Sequence, residues 1–407
     1  MPMRSGTSSS AFWALCDQAS VSAANFLAIA LGAWMLELGE QSKLVYGYTF
    51  YFALVLFNAS ALFSAAPVLR YEVSDAAAYK RLLLRAQCLI AVAGAVIALV
   101  VFMWLGAALD WVPDAIEMGC ILLFLGLQQL ADFNRRADYV FGEIKGAALI
   151  SVLGLALRLG LLLPLQPQDA ATFYLIFAIS AIPGAYLAIR RGWGVPGSGD
   201  DAHVLRRHMR LARWNMLHAP LQWMGLHSPV FLVGALAGGG AAAILASVRS
   251  VGTVANVLLE LMETYVPNWM ASRARQQGPA GMRSVVLKLY ALGGVLWLAA
   301  AIAIVTIGES ILALLLGRGY AEYWPILLLL WVGNGLYFLG RVYGVKHRVS
   351  RWTSVELAGS AGGLAVLLVS LPLMSLYGAL GGACAIVLVQ LGSMLTQLAY
   401  ARRFVRQ

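Results

Sequence analysis

Long apolar runs recur from residue 11 to residue 400, and they constrain the fold more than any other feature. Each run is about 18 to 25 residues long, the length that a helix needs to cross roughly 30 Å of hydrocarbon. Barrel strands would be about half as long and would alternate polar and apolar residues, unlike these runs. With 61% hydrophobic and only 12% charged residues, the chain is predicted to be an all-α polytopic membrane protein.

The runs predict twelve transmembrane helices. Their predicted bounds are 11–36, 44–69, 86–109, 115–131, 146–166, 170–189, 214–236, 242–268, 284–308, 323–341, 353–374 and 379–400. The first run has no small-residue cleavage site, so we interpret it as a helix and not as a signal peptide that is removed.

Basic residues are distributed very unevenly between the loops. If the N-terminus is cytoplasmic, the inside loops hold 25 of the 29 basic residues and the outside loops hold only Lys43 and Arg318. This bias predicts a protein of the cytoplasmic (inner) membrane with both termini in the cytoplasm. The basic clusters lack interleaved aromatic residues, so the net charge of +10 reflects topology and no nucleic-acid partner is expected.

The longest polar stretch, residues 190–213, is rich in glycine and arginine and divides the predicted spans six and six. We therefore predict an N-terminal lobe (1–189), a cytoplasmic linker (190–213) and a C-terminal lobe (214–407). Transporters built from two related bundles have this layout. The alternative is an ordinary long loop in an asymmetric protein.

The eighth predicted helix carries five polar residues that are spaced 4, 3, 4 and 3 apart: Arg249, Thr253, Asn256, Glu260 and Glu263. At about 100° per residue they share one narrow stripe. Because a charge in hydrocarbon costs about 2.5 to 3.5 kcal/mol, such a stripe normally faces water or protein. It predicts a helix that lines an aqueous cavity, with salt bridges to neighbouring helices as the alternative.

Two other predicted helices carry polar faces. Gln18 and Asn25 share a face of the first helix, with Asp17 beside it, and His218 and Gln222 share a face of the seventh. Nearby Pro220 can kink the seventh helix. Histidine titrates near neutral pH, so His218 is either a proton carrier or a hydrogen-bonded packing residue.

Arg158 lies inside the fifth predicted helix. Its guanidinium either snorkels towards the membrane surface or contacts an anion, since its forked donors suit a phosphate. The sequence contains no nucleotide-binding P-loop, no H-E-x-x-H motif and no loop long enough for an enzyme domain. We expect no enzymatic activity, catalytic residue, metal or cofactor.

Three segments, 17–36, 128–163 and 246–274, resemble the polysaccharide-export branch of the multidrug/oligosaccharidyl-lipid/polysaccharide exporter superfamily. The first begins with an Asp-Gln pair and carries a Ser-x-x-Asn-Phe element, as in the opening helix of that branch. The second resembles the junction between helices 4 and 5. The third resembles the arginine-led helix 8, which ends in Glu and Pro before a basic loop. Where many members read Ala-Arg near the outer end of helix 1, this chain reads Gly32, Ala33 and Trp34.

The resemblance implies two six-helix lobes around a central cavity that helices 1, 2, 7 and 8 line. It also implies a flippase that moves a polyprenyl-pyrophosphate-linked oligosaccharide by alternating access, for O-antigen or exopolysaccharide synthesis. Such a headgroup cannot cross hydrocarbon unaided. We therefore assign phosphate contacts to Arg249 and Arg158. Sugar or cavity contacts are assigned to Gln18, Asn25, His218, Gln222, Thr253 and Asn256. Expected partners are the lipid-linked oligosaccharide, membrane lipids, a polysaccharide polymerase and glycosyltransferases.

Other readings remain open. A small-molecule or drug exporter on the same scaffold would couple transport to protons or sodium through Asp17, Glu260 or Glu263. A major-facilitator transporter also has six plus six helices, but its basic motif between helices 2 and 3 is absent from residues 70–85. A polytopic glycosyltransferase or polymerase would need longer outer loops, and a membrane scaffold would need no aligned polar stripe.

Overall fold

The computed structural model describes residues 7–70, 73–106, 111–193, 201–252, 259, 266–349, 352 and 354–405. The helices are α1 (Thr7–Met35), α2 (Leu38–Asn58), α3 (Ala76–Leu105), α4 (Ala115–Phe141), α5 (Ile144–Leu165), α6 (Ala170–Trp193), α7 (Asp201–Leu226), α8 (Ser228–Ala237), α9 (Gly239–Gly252), α10 (Val266–Leu316), α11 (Trp324–Val349), α12 (Ser354–Val369) and α13 (Leu371–Val405). Each predicted span overlaps one of them. Among the described residues, nine helical segments are long and apolar enough to cross a membrane. The predicted all-α, multi-pass membrane architecture is therefore confirmed.

The chain divides into two compact units. The first comprises Met1–Ala28 and Met35–Ala219, and the second comprises Ile29–Trp34 and Pro220–Gln407. The division falls within α7, between Ala219 and Pro220. Of the predicted linker, residues 190–193 end α6 and residues 201–213 begin α7.

Helix α4 is the central helix of the first unit and packs against α3, α5 and α6. A capping box starts it: Asp114 accepts hydrogen bonds from the backbone N–H groups of Ile116 and Glu117, and the Glu117 side chain accepts from the Asp114 N–H. These contacts satisfy amides that have no partner inside the helix. Gly142 ends the helix with a φ of 92°, a left-handed conformation that glycine adopts without steric cost.

An aromatic core joins α2, α4 and α6 in the first unit. Phe124, Phe173 and Phe177 are fully buried. The ring of Tyr48 stacks on Phe124 at 5.9 Å between centroids and meets Phe177 edge-on at 5.8 Å. Buried aromatic pairs of this kind stabilise beyond the area they bury. Beyond Asn58, α2 continues as a π-helical turn (Ala59–Phe63).

The core of the second unit contains a reciprocal tryptophan pair on α10 and α11. The indole N–H of Trp297 donates to the Trp331 carbonyl at 3.1 Å, and that of Trp331 donates to the Trp297 carbonyl at 3.0 Å. The two indole rings stack at 5.4 Å between centroids, and Phe338 also stacks on Trp297, at 4.9 Å. Helix α13 bends at Gly378, where the φ of 53° interrupts the helix.

The seventh predicted span is two helices. Pro220, which can kink this span, lies inside α7, and the helix is interrupted further along the chain, at His227. The reason lies in the following helix, because Pro229 occupies its first turn. A proline there needs no hydrogen-bond partner and favours a helix start at that point.

Candidate functional site

The carboxylate of Asp17 on α1 is fully buried and is held by three donors from two other helices. Arg135 Nη1 lies 3.0 Å from it, the Tyr139 hydroxyl 2.9 Å and the Ser151 hydroxyl 2.5 Å. Because these donors belong to α4 and α5, one carboxylate joins three helices. A buried charge is tolerated only when it is paired and hydrogen-bonded in this way.

Arg135 is shared between two carboxylates. It donates to Asp132 through Nε at 3.2 Å and Nη2 at 2.9 Å, and Arg136 Nε donates to the other oxygen of Asp132 at 2.7 Å. We call Asp17, Asp132, Arg135 and Arg136 the Asp17 cluster. Its two carboxylates and two guanidiniums balance in formal charge.

Sequence reasoning missed this cluster because it ended the fourth span at residue 131 and placed Arg135 and Arg136 in a cytoplasmic loop. The structure corrects the end of this helix, since α4 continues to Phe141. A signal was present: Asp132, Arg135 and Arg136 are spaced 3 and 4 apart, as in ion pairs on one helix face. The cluster supplies the cation that buried Asp17 requires.

Arg158 on α5 is 4% exposed and contacts α1, α4 and α6. Its Nη1 donates to the Ala24 carbonyl at 3.2 Å, Nη2 to Gln128 at 3.4 Å and Nε to the Ser180 hydroxyl at 3.5 Å. The guanidinium also lies 4.4 Å from the centre of the Phe177 ring. Each of these partners is formally neutral, so the positive charge is solvated but not compensated.

The polar face of α1 lies in the same unit. The Asn25 side-chain oxygen accepts a hydrogen bond from the Tyr48 hydroxyl at 2.8 Å, and Gln18 is half-buried. Asn25 directly follows Ala24, whose carbonyl Arg158 contacts. The structure therefore places the Arg158 guanidinium beside the part of α1 that carries Asn25. Asp17, on the same helix, instead contacts Arg135 in the Asp17 cluster.

A buried group of three amides, which the sequence reasoning also missed, joins α2, α3 and α4. The side chains of Asn58 and Gln87 both donate to the Gln129 oxygen, at 3.0 and 3.4 Å. The other polar atom of each amide has no hydrogen-bond partner among the described residues. Turning all three amides over would again leave three such atoms, so the choice of amide orientation does not explain them.

In the second unit, Arg249 lies at the interruption between α7 and α8. Its Nη1 donates to the carbonyl of Leu226, the last residue of α7, at 2.6 Å. The final carbonyls of a helix lack partners inside the helix and carry partial negative charge, which a guanidinium complements. Beside it, His227 stacks on Trp223 at 6.4 Å.

The remaining predicted residues of the seventh helix are divided between the units. Gln222 donates to the Tyr337 hydroxyl at 2.7 Å in the second unit, and the Arg341 guanidinium lies 5.3 Å from the Tyr337 ring. His218 is half-buried and belongs to the first unit. Four residues of the predicted stripe, Thr253, Asn256, Glu260 and Glu263, lie outside the described residues.

Charge compensation distinguishes the embedded carboxylates from the embedded arginines. Asp17 and Asp132 are paired within the Asp17 cluster, and buried Asp138 is paired with Lys80 at 3.2 Å and Arg191 at 2.9 Å. Within the part of the chain that the structure describes, neither Arg158 nor Arg249 forms an ion pair. Asp17, Asp132 and Asp138 are therefore compensated by cations, whereas the printed hydrogen bonds of Arg158 and Arg249 go to neutral acceptors.

No group of three His, Cys, Asp or Glu side chains that could hold a metal ion occurs among the described residues. No protein-family model matches the chain, and no curated protein sequence matches it.

Solved structures do resemble it over nearly the whole chain. An inward-facing multidrug resistance MATE family transporter of the MOP superfamily superposes with a TM-score of 0.73 at 12% identity, covering 97% of this chain and 98% of the other. The lipid II flippase MurJ, in an inward closed conformation, gives a TM-score of 0.68 at 12% identity, covering 96% and 87%. A mutant form of the Vibrio cholerae MATE transporter VcmN gives 0.66 at 16% identity, covering 98% and 96%. The chain therefore has the fold that these MATE transporters and MurJ share.

Proposed function

We propose that the protein is a flippase that carries a polyprenyl-pyrophosphate-linked oligosaccharide across the cytoplasmic membrane by alternating access. One observation carries the proposal: among the described residues, Arg158 and Arg249 have no anionic partner, whereas the buried aspartates Asp17, Asp132 and Asp138 are paired with cations. An anionic substrate would supply the missing counter-charge. The fold shared with the lipid II flippase MurJ supports the same reading.

Pyrophosphate matches the chemistry of the two arginines. A guanidinium binds phosphate through two parallel hydrogen bonds, and such charge-assisted bonds are roughly twice as strong as neutral ones. Both arginines now donate to backbone carbonyls, at 3.2 and 2.6 Å. In the proposed cycle each arginine exchanges a neutral acceptor for a phosphate oxygen. The guanidinium therefore keeps a hydrogen-bond acceptor both before and after the substrate binds.

The sugar requires hydrogen-bond partners and the lipid tail requires none. We assign the sugar hydroxyls to the amide, hydroxyl and imidazole side chains of the polar helix faces, namely Gln18, Asn25, His218, Gln222, Thr253 and Asn256. The polyprenyl chain stays in the hydrocarbon of the bilayer throughout, so moving it requires no desolvation and no polar contacts with the protein. In this proposal the protein makes and breaks no covalent bond, and its partners are membrane lipids, a polysaccharide polymerase and glycosyltransferases.

An ion-coupled exporter of small molecules is the second candidate. The buried carboxylate of Asp17, with its hydroxyl donors Tyr139 and Ser151, favours it, as does the MATE fold. Glu260 and Glu263 would be further coupling residues. The pairing of Asp17 with Arg135 weighs against this candidate, because a cation that binds Asp17 must first displace the guanidinium.

Reconstituted flipping of a fluorescent lipid-linked oligosaccharide tests the proposal. We expect Arg249→Gln and Arg158→Gln each to slow flipping at least tenfold, since a charge-assisted phosphate contact is worth about 1.5 to 3 kcal/mol. Arg283→Gln removes an exposed cation and should flip at the wild-type rate. Wild-type rates in both arginine variants would refute the phosphate role.

The same vesicles distinguish the two candidates. With an imposed proton or sodium gradient, accumulation of a cationic dye that Asp17→Asn abolishes would establish the exporter. Flipping without dye transport would favour the flippase.

A further inference from the structure

The first half of α7 is a basic segment that the transport proposal does not use. Its residues 201–213 form a helix on the first unit, and one face of it is fixed by buried contacts. His208 is 1% exposed, with Nε2 2.7 Å from the Ala61 carbonyl in the π-helical turn and Nδ1 2.8 Å from the Tyr79 hydroxyl. Arg81 bonds Asp201 at 2.9 Å, and Ala212 is fully buried. The rotation of this helix about its axis is therefore set.

Four exposed arginines lie on this helix, three of them on the side opposite His208. We call Arg206, Arg207, Arg210 and Arg213 the arginine stripe, and all four are exposed. At about 100° per residue, three of them lie roughly 140° to 200° from His208 and Arg207 lies at about 100°. The buried contacts thus turn Arg206, Arg210 and Arg213 away from the protein, and Arg207 lies at the side of the helix. Within the described residues, Arg206, Arg210 and Arg213 form no ion pair.

The position of the stripe along α7 places it at the depth of lipid headgroups. Helix α7 continues without a break into apolar residues that are exposed, with Trp214 at 50% and Leu217 at 56%. Tryptophan is enriched at the interface between hydrocarbon and headgroups. From Trp214, Arg210 lies about 6 Å and Arg206 about 12 Å along the axis, while a headgroup layer is roughly 5 to 8 Å thick. Arg213 and Arg210 fall within this layer, and a tilt of the helix brings Arg206 to it.

Apolar side chains flank the stripe, as an interfacial helix requires. Leu205, Met209 and Leu211 are 37%, 41% and 49% exposed. These apolar neighbours are not expected on a fully solvated basic face, whereas the headgroup region around a tilted helix would cover them. Arg213 also lies over the Trp214 ring at 5.2 Å, which holds its guanidinium beside the interfacial tryptophan.

We propose that the arginine stripe is a binding surface for anionic phospholipid headgroups of the leaflet that the charge bias assigns to the cytoplasm. Positive charge meets negative phosphate there, and the flanking apolar residues meet the upper acyl chains. Because His208 ties the same helix to the π-helical turn after α2, bound lipid also holds that turn in place. This surface is distinct from the membrane-embedded Arg158 and Arg249, so it does not depend on the identity of the transported substrate.

Lipid titration of the purified full-length chain in neutral detergent tests the proposal. The probes are fluorescent phosphatidylglycerol and, as the uncharged comparison, fluorescent phosphatidylcholine. Near an anionic surface each basic residue contributes about fivefold in affinity. Replacing the stripe (R206Q/R207Q/R210Q/R213Q) should therefore weaken phosphatidylglycerol binding at least tenfold and leave phosphatidylcholine binding unchanged. The wild-type affinity should also fall as salt is raised.

Two further variants keep the test decisive. R190Q/R283Q/K288Q/R402Q removes the same charge from exposed positions outside the stripe and should bind phosphatidylglycerol within about twofold of wild type. R206K/R207K/R210K/R213K keeps the charge and should keep most of the affinity. Equal losses in the two glutamine variants, or no loss in the stripe variant, would overturn the proposal. Loss of binding in the lysine variant would also overturn it, because misfolding and not charge would then explain the result.

Discussion

Arg135 is the residue whose removal should disturb the first unit most. Its guanidinium makes three hydrogen bonds, two to Asp132 and one to Asp17. Arg135→Met would leave Asp132 with Arg136 but would leave the fully buried Asp17 with hydroxyl donors only. An uncompensated buried charge costs about 3 to 5 kcal/mol, which is the expected loss in the free energy of unfolding.

The pairing predicts a strong coupling between Asp17 and Arg135. Asp17→Asn alone should cost about 1 to 3 kcal/mol, because it removes one charge-assisted contact while Arg135 keeps Asp132. When residue 17 is a neutral asparagine, Arg135→Met no longer leaves a buried carboxylate on α1 without a cation. The double variant should therefore be no less stable than Arg135→Met alone, which gives a coupling energy of about 2 kcal/mol or more.

Reversible unfolding in mixed micelles, with a rising fraction of ionic detergent, measures the free energy of unfolding of the wild type, the two single variants and the double variant. Arg283→Met, at an exposed position, should change the free energy of unfolding by no more than about 0.5 kcal/mol. Additivity of the two single changes within about 0.5 kcal/mol would refute the reasoning, since residues that do not interact behave in that way.

Four other substitutions have defined outcomes. Arg158→Lys should cost about 1 to 3 kcal/mol in the same unfolding assay, because one ammonium cannot reach the separate acceptors on α1, α4 and α6. Trp331→Phe should cost about 1 kcal/mol through loss of the bond to the Trp297 carbonyl, and Trp34→Phe, which removes an exposed indole bond to the Leu315 carbonyl, should cost less. Burial lowers the pKa of His208 below its ordinary value of 6.5, although the Ala61 carbonyl opposes this. The unfolded chain therefore takes up a proton first as the pH falls, so the contribution of His208 is present above pH 6.5 and is lost below it. Wild type should lose more stability than His208→Gln between pH 7.5 and pH 5.5, and equal losses would contradict the assignment.

The helices were predictable because hydrocarbon allows little else. A span must satisfy its own backbone hydrogen bonds, so length and hydropathy suffice to locate it. The helix ends were harder to predict, as α4 shows. A polar run that contains Asp132, Arg135 and Arg136 resembles the start of a loop, and only the position of Asp17 next to Arg135 explains why it is helical and buried. The pairing joins residues more than a hundred positions apart, and no local pattern reveals it.

The break at His227 shows a second limit. The sequence contains two prolines near this point, Pro220 and Pro229, and local chemistry permits a kink at either. The interruption comes beside Pro229, at the point where the Arg249 guanidinium donates to the carbonyl of Leu226. This contact of Arg249 could not be predicted from the sequence. The polar stripe showed which residues share a helix face with Arg249, but not which backbone carbonyl its guanidinium contacts.

That contact also bears on how tightly any anion could be held. Arg249 already has an acceptor at 2.6 Å, so a ligand has to compete with the protein's own backbone for the guanidinium. The affinity for an anion then depends on how much more strongly the guanidinium binds the anion than it binds the Leu226 carbonyl, and not on the full strength of the new hydrogen bond. In the proposed flippase this competition favours release, because the Leu226 carbonyl can accept the Arg249 guanidinium again when the anion leaves.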